Sequence, residues 1–175
     1  MPKKPISRNS GRKPKGRTKR TFSHIQIRQR ASSLVSEIAV ISDRLIHLER
    51  KVGEHKAKIT RIFMEKRIPS RSEFEEYLDY SLEYYETAKR QSERANELIN
   101  LTRQLNQSFP GFNPDAAIAE NNFAIRKLGN IVAIFKEIQT DFRAGYGLDF
   151  LKRYLEQHLP VLTAAIQMNP EMPVH

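Results

Sequence analysis

The chain has no cysteine, which excludes a disulfide framework, a thiolate zinc site and a cysteine nucleophile. No apolar run approaches the roughly 18 residues that span a bilayer, so no membrane-spanning segment is expected. The basic start is not followed by the apolar stretch and small-residue cleavage site of a signal peptide. An acid-free, Arg-rich start also describes a mitochondrial transit peptide, but Pro2, Pro5, Gly11, Pro14 and Gly16 oppose the amphipathic helix such a peptide needs. No segment alternates polar and apolar residues as a strand would. The histidines His24, His47, His55, His158 and His175 contain no i, i+4 pair, so a helical zinc site is not expected. Gly145-Tyr146-Gly147 lacks the third glycine and the preceding strand of a dinucleotide fingerprint and reads as a hinge. No catalytic constellation and no cofactor motif is visible, and the chain is not read as an enzyme.

The most informative absence is of negative charge. The first 30 residues hold 11 Lys/Arg and no Asp or Glu. These are Lys3, Lys4, Arg8, Arg12, Lys13, Lys15, Arg17, Lys19, Arg20, Arg28 and Arg30. The remaining 145 residues carry 19 basic and 20 acidic groups, so the whole excess of +10 sits in one N-terminal arm on a nearly neutral body. Like charges at this density repel, and Pro and Gly recur through residues 1–22, so that segment is expected to be extended. Its natural counterpart is a polyanion, of which nucleic acid is the usual cellular example.

The body reads as helical throughout. Ser23 is a candidate N-cap. From about residue 24 to 67, Ile27, Ala31, Leu34, Ile38, Ile41, Leu45, Leu48 and Val52 alternate spacings of four and three, slip at His55, and resume at Ile59 and Ile62. That pattern is a long helix with a coiled-coil-like seam. It would reach roughly 60 Å, so it either kinks near Gly53 or projects and packs on something else. Pro69 ends it. Ser70 with Glu73, or Ser72 with Glu75, offers a capping box for a second helix to about 108. Its inward stripe runs from Phe74, Tyr77 and Leu78 through Tyr84 or Tyr85 to Leu105.

Ser108-Phe109-Pro110-Gly111-Phe112-Asn113-Pro114 reads as a loop. A third helix, about 115–142, turns Ala124, Leu128, Ile131, Phe135, Ile138 and Phe142 inward. A fourth, 148–167, turns Leu151, Leu155, Leu159, Leu162 and Ile166 inward, with Pro160 kinking it or starting a new turn. Residues 168–175 form a tail. The fold class is therefore all-α: an antiparallel four-helix arrangement over 23–167 with a long first helix and an extended basic N-terminal arm, 1–22.

Two surfaces remain to be assigned. The acids at the start of helix two, Glu73, Glu75, Glu76, Asp79, Glu83 and Glu86, read as a solvated face that suits the helix dipole. They are also placed to pair with Lys51, Lys56, Lys58, Arg61, Lys66 and Arg67. Tyr77, Tyr80, Tyr84 and Tyr85 span more of the helix than one buried face needs, which leaves core packing and a subunit contact both open. The candidate subunit-interface residues are Ile38, Ile41, Leu45, Leu48, Tyr80 and Tyr84.

Within the arm, Gly11-Arg12-Lys13-Pro14-Lys15-Gly16-Arg17 resembles an AT-hook, departing from it in the Lys13 that separates Arg from Pro. The segment Lys15-Gly16-Arg17-Thr18-Lys19-Arg20-Thr21-Phe22-Ser23 resembles the arm of coat proteins of rod-shaped and filamentous archaeal DNA viruses. The match covers nine residues, and the chain departs in its extra basic stretch before them and its longer first helix. The resemblance implies a virion coat subunit whose homodimers, or heterodimers with a paralogous coat subunit, wrap linear double-stranded DNA and stack into a helical filament. It maps Lys15, Arg17, Lys19 and Arg20 onto the DNA-contacting arm and Arg28 and Arg30 onto the start of the helix lying on the duplex.

Read without the resemblance, the residues leave other readings open. One is a dimeric DNA-binding accessory or regulatory protein of plasmid mobilisation or chromosome organisation, in cytoplasm or nucleoid, with the arm as a minor-groove tether. Another is an RNA-binding protein. A regulator would show a helix-turn-helix, which is not evident. An RNA binder would interleave aromatics with its basic residues, and Phe22 is the sole aromatic in the first 30.

Overall fold

The computed structural model describes residues 23–105 and 111–168, and these are all-α. Helix α1 (His24–Met64) opens on a capping box: the Gln26 amide donates to the Ser23 hydroxyl at 3.4 Å and the Ser23 amide to the Gln26 side chain at 3.0 Å. It runs as one continuous helix through Gly53. It stops three residues short of the expected 67. Lys66 turns into the left-handed region (φ 55), the Lys66 amide reaches the Phe63 carbonyl at 2.9 Å and the Arg67 amide reaches that of Ile62 at 3.0 Å. This is a Schellman closure, made without the usual glycine.

Helix α2 (Arg71–Gln104) uses the first of the two possible capping boxes. The Ser70 amide donates to Glu73 at 2.8 Å, and the Glu73 amide to the Ser70 hydroxyl at 3.3 Å. The hydrogen bonds from Ser70, its backbone amide first, together with Lys58, hold the Glu73 carboxyl down at about 2. A folded-state value below the unfolded one means stability that is present above about pH 4.5 and lost as pH falls toward 2. Ser70→Ala is expected to lower stability by about 1 kcal/mol at neutral pH. In urea titrations at several pH values, the gap from the wild type should narrow through that acid window.

Asn113 caps α3 (Pro114–Ala144), accepting from the Asp115 and Ala116 amides at 3.1 and 3.2 Å, with Pro114 at the first helical position, where its missing N–H is harmless. Helix α2 ends at Gln104 with Leu105 as its C-cap, short of the expected 108; residues 106–110, which include the loop residues Ser108, Phe109 and Pro110, lie outside the described residues, as does the tail from 169.

Cross-contacts make both helix pairs antiparallel. Arg30 meets Glu97, Arg44 meets Glu83 and Lys58 meets Glu73 between α1 and α2. Asn96 meets Asn122, Glu86 meets Lys136 and Asp79 meets Gln139 between α2 and α3. Helices α1 and α3 both pack on α2 and scarcely on each other. Most of α2 from Leu82 to Thr102 is therefore half-buried on all sides, and the clean inward stripe expected there holds only at its start, where Phe74, Tyr77, Leu78 and Ser81 are buried.

The core gathers at the opposite end from Ser23. Ile59, Phe74, Leu78, Phe135, Phe142, Phe150 and Leu162 belong to it. Tyr146 closes it from the turn that follows α3, donating its hydroxyl to the Pro69 carbonyl.

The fourth helix departs from expectation. It is α4 (Leu148–Arg153), a π-helical turn (Tyr154–His158) and α5 (Leu159–Gln167). Pro160 has no N–H to give the carbonyl four residues back, and the widened turn accommodates the loss. The extra residue in that turn rotates the helix beyond it. Leu151 and Leu162 are buried as expected and Leu159 partly so, but Leu155 and Ile166 are each 42% exposed. Tyr154, His158 and Ala165 take their inward places.

Candidate nucleic-acid interface

Of the candidate cations, Lys3, Lys4, Arg8, Arg12, Lys13, Lys15, Arg17, Lys19 and Arg20 lie outside the described residues. Arg28 and Arg30 stand on the first two turns of α1, next to the point where the arm joins the body. The first turn of α1 contains no acid, so its positive dipole end is not offset by its own side chains.

The two arginines differ in surroundings. Arg28 is exposed and has no carboxylate within ion-pair distance among the described residues. The Arg30 guanidinium is engaged by Glu97 and Glu37, both at 2.8 Å. Arg94 completes the cluster, 2.9 Å from Glu97 and 3.4 Å from Glu37. The hydrogen bond from Ser33, then the Arg30 charge, holds the Glu37 carboxyl below its ordinary range, and the bond to Glu97 raises Arg30. Two cations and two anions sum to zero. Arg30 therefore fastens the start of α1 to the end of α2 and projects little net field, while Arg28 adds its full charge to that of the arm.

The seam Ile38, Ile41, Leu45 and Leu48, expected as a subunit contact, lies against α2 of the same chain. Leu48 is fully buried and the other three are half-buried. The chain's own second helix packs along this seam. Tyr80 stacks on His55 with ring centroids 5.0 Å apart, and Tyr84 sits edge-on to Tyr85 at 5.1 Å. Both are half-buried. Tyr85 stacks on Phe135, and burial pushes its hydroxyl up to about 12.

Three of the six acids at the start of α2 face Lys or Arg of neighbouring helices. Glu73 takes Lys58 at 3.1 Å, Glu83 takes Arg44, and Glu86 takes Lys136 at 2.7 Å. Of the α1 cations expected to pair with these acids, Lys58 does so; Lys51 bonds Glu54 on its own helix, and Arg67 bonds Glu65. Asp79 accepts from Gln139 at 2.7 Å, and burial raises its carboxyl. Buried His158 meets Asp141 at 3.0 Å and ties the π-helical turn to α3. Among the described residues no three His, Asp or Glu side chains converge as a metal site would, and no helix is long and apolar enough to cross a membrane.

Sequence reasoning missed the Arg30–Glu37–Glu97–Arg94 cluster. A signal was present: Arg30, Glu37, Arg44, Lys51 and Lys58 recur every seven residues beside the seam, where charged residues flank a packed partner. Comparison with protein-family models, with curated proteins and with solved structures finds no match to this chain.

Proposed function

We propose that this chain is a structural nucleoprotein: a coat subunit that binds double-stranded DNA through its basic N-terminal arm and self-assembles by helical packing into a virion filament. One observation carries the reading. Eleven cations and no acid occupy residues 1–30, while the rest of the chain is charge-balanced. An arm of this kind follows a phosphate backbone and releases counterions without reading bases. The body supports it: beyond residue 30 its 19 cations are balanced by 20 acids, and its long helices offer extended surface for packing. The nine-residue likeness to archaeal virus coat arms points the same way.

The direct test is electron microscopy of the protein mixed with long linear double-stranded DNA at low salt. Continuous filaments of uniform diameter are expected. Discrete particles or local bends on otherwise bare DNA would overturn the coat reading in favour of the accessory-factor one. A finer expectation separates the two arginines. Arg28→Ala should flatten the slope of log affinity against log salt by about one, as loss of a phosphate contact does. Arg30→Ala should change that slope less, because its charge is already matched by Glu97 and Glu37.

A further inference from the structure

Helix α1 carries a second heptad frame, on the side away from α2. Starting at Ile25 and alternating steps of four and three, it ends at Met64, and all twelve of its positions are exposed. Ten of the twelve are uncharged; the exceptions are Asp43 and Arg50. Three are large apolar side chains held out to solvent: Ile25 at 69%, Ile46 at 68% and Met64 at 80% exposure. Gly53 belongs to the same frame. It lies mid-helix, and a Cβ added there would meet nothing within 4 Å. Among the described residues nothing calls for glycine there, the poorest helix former after proline. Close approach of a second backbone would.

We infer that this face is a homodimer interface on which a second copy packs its own α1 antiparallel. Orientation follows from the two charges. A parallel pair sets Asp43 on Asp43 and Arg50 on Arg50. An antiparallel pair about a two-fold axis between residues 44 and 45 matches the whole frame to itself: Ile25 meets Met64, Ser36 meets Gly53 and Ala39 meets Arg50. Arg50 of each copy then lies one helical turn, about 6 Å along the axis, from Asp43 of the other. Opposite charges meet twice, as an isologous contact requires. A strip about 60 Å long and one helix diameter (~10 Å) wide gives roughly 600 Å² per copy. The total of about 1,200 Å² reaches the range of stable dimers. The interface deepens the self-assembly half of the proposed function and is independent of its nucleic-acid half.

Because the chain has no cysteine, introduced thiols report on the register. Full-length Ser36→Cys and Gly53→Cys chains, mixed and oxidised, are expected to form a disulfide dimer, and Ser36→Cys alone is not. In this register its two copies stand about 25 Å apart along the axis, beyond any disulfide. In sedimentation equilibrium the wild type should be dimeric. Ala39→Lys with Ile46→Lys should raise the dissociation constant at least tenfold with unchanged helicity, since both sites are exposed. Asp43→Arg should weaken the dimer, and adding Arg50→Asp should restore it. A monomeric wild type overturns the inference, as does a dimer indifferent to the lysines or a Ser36→Cys chain that cross-links to itself. DNA binding is measured on the same samples. Its loss with the dimer intact counts against the arm, and its retention by a monomeric wild type counts against the dimer.

Discussion

A chain lacking residues 1–22 is expected to lose DNA binding while melting within a few degrees of the full-length protein. Nine of the 30 Lys/Arg go with that segment, leaving 21 against 20 acids. The electrostatic attraction that dominates sequence-independent binding goes with them. The full-length chain, neutralising about 6–10 phosphates, should bind roughly a thousandfold or more weaker at 200 than at 50 mM salt. The shortened chain should show neither the affinity nor the slope. Its fold should persist, because the buried apolar residues run from Ile27 to Ala165 and the Ser23 cap is retained. Fluorescence anisotropy with a labelled duplex, read beside thermal melting by circular dichroism, checks both halves. Undiminished DNA affinity of the shortened chain would sink the assignment of the arm.

Phe74→Ala is expected to be among the most destabilising single changes in the body. Phe74 is fully buried, and five aromatic rings have centroids within 6.2 Å of its own: Tyr77, Phe142, Tyr146, Phe150 and Tyr154. Those rings come from α2, α3, the α3–α4 turn, α4 and the π-helical turn, so one side chain ties the C-terminal half of the chain to the start of α2. Truncating such a residue costs about 3–5 kcal/mol in lost transfer energy and cavity formation. In a domain of this size that lowers the melting temperature by about 10 °C or more. Val40→Ala, at a side chain 69% exposed, is the matched control and should move it by less than about 2 °C. Equal melting of the two variants would mean that the aromatic cluster does not hold the fold together.

Local signals made most of the helices legible. Ser23 and Ser70 start helices because their backbone needs are met within three or four residues, and Pro69 limits α1 for the same local reason; Pro114, read as the last loop residue, is the first residue of α3. The inward residues of α3 from Ile131 to Phe142 followed from spacing alone, since that helix keeps one period throughout. The fourth helix misled because a single widened turn before Pro160 changes the period, and a 3.6-residue pattern carries no record of where an extra residue enters. Gly53 reads as a place for a kink, and α1 continues through it as one helix.

By itself the sequence determined the all-helical class, the helix starts and the segregation of charge into the first 30 residues, all of which depend on near neighbours or on counting. Tertiary structure alone decided which faces are spoken for. Periodicity shows that Ile38, Ile41, Leu45 and Leu48 want a partner, but only the fold of α2 back along α1 shows that the partner is the same chain. The same docking took Arg30 out of the pool of free cations by setting Glu97, 67 residues away, against it. It also left the Ile25–Met64 frame facing solvent. Pairing between residues so far apart depends on how elements pack, and packing energy is a property of the assembled helices rather than of any one segment.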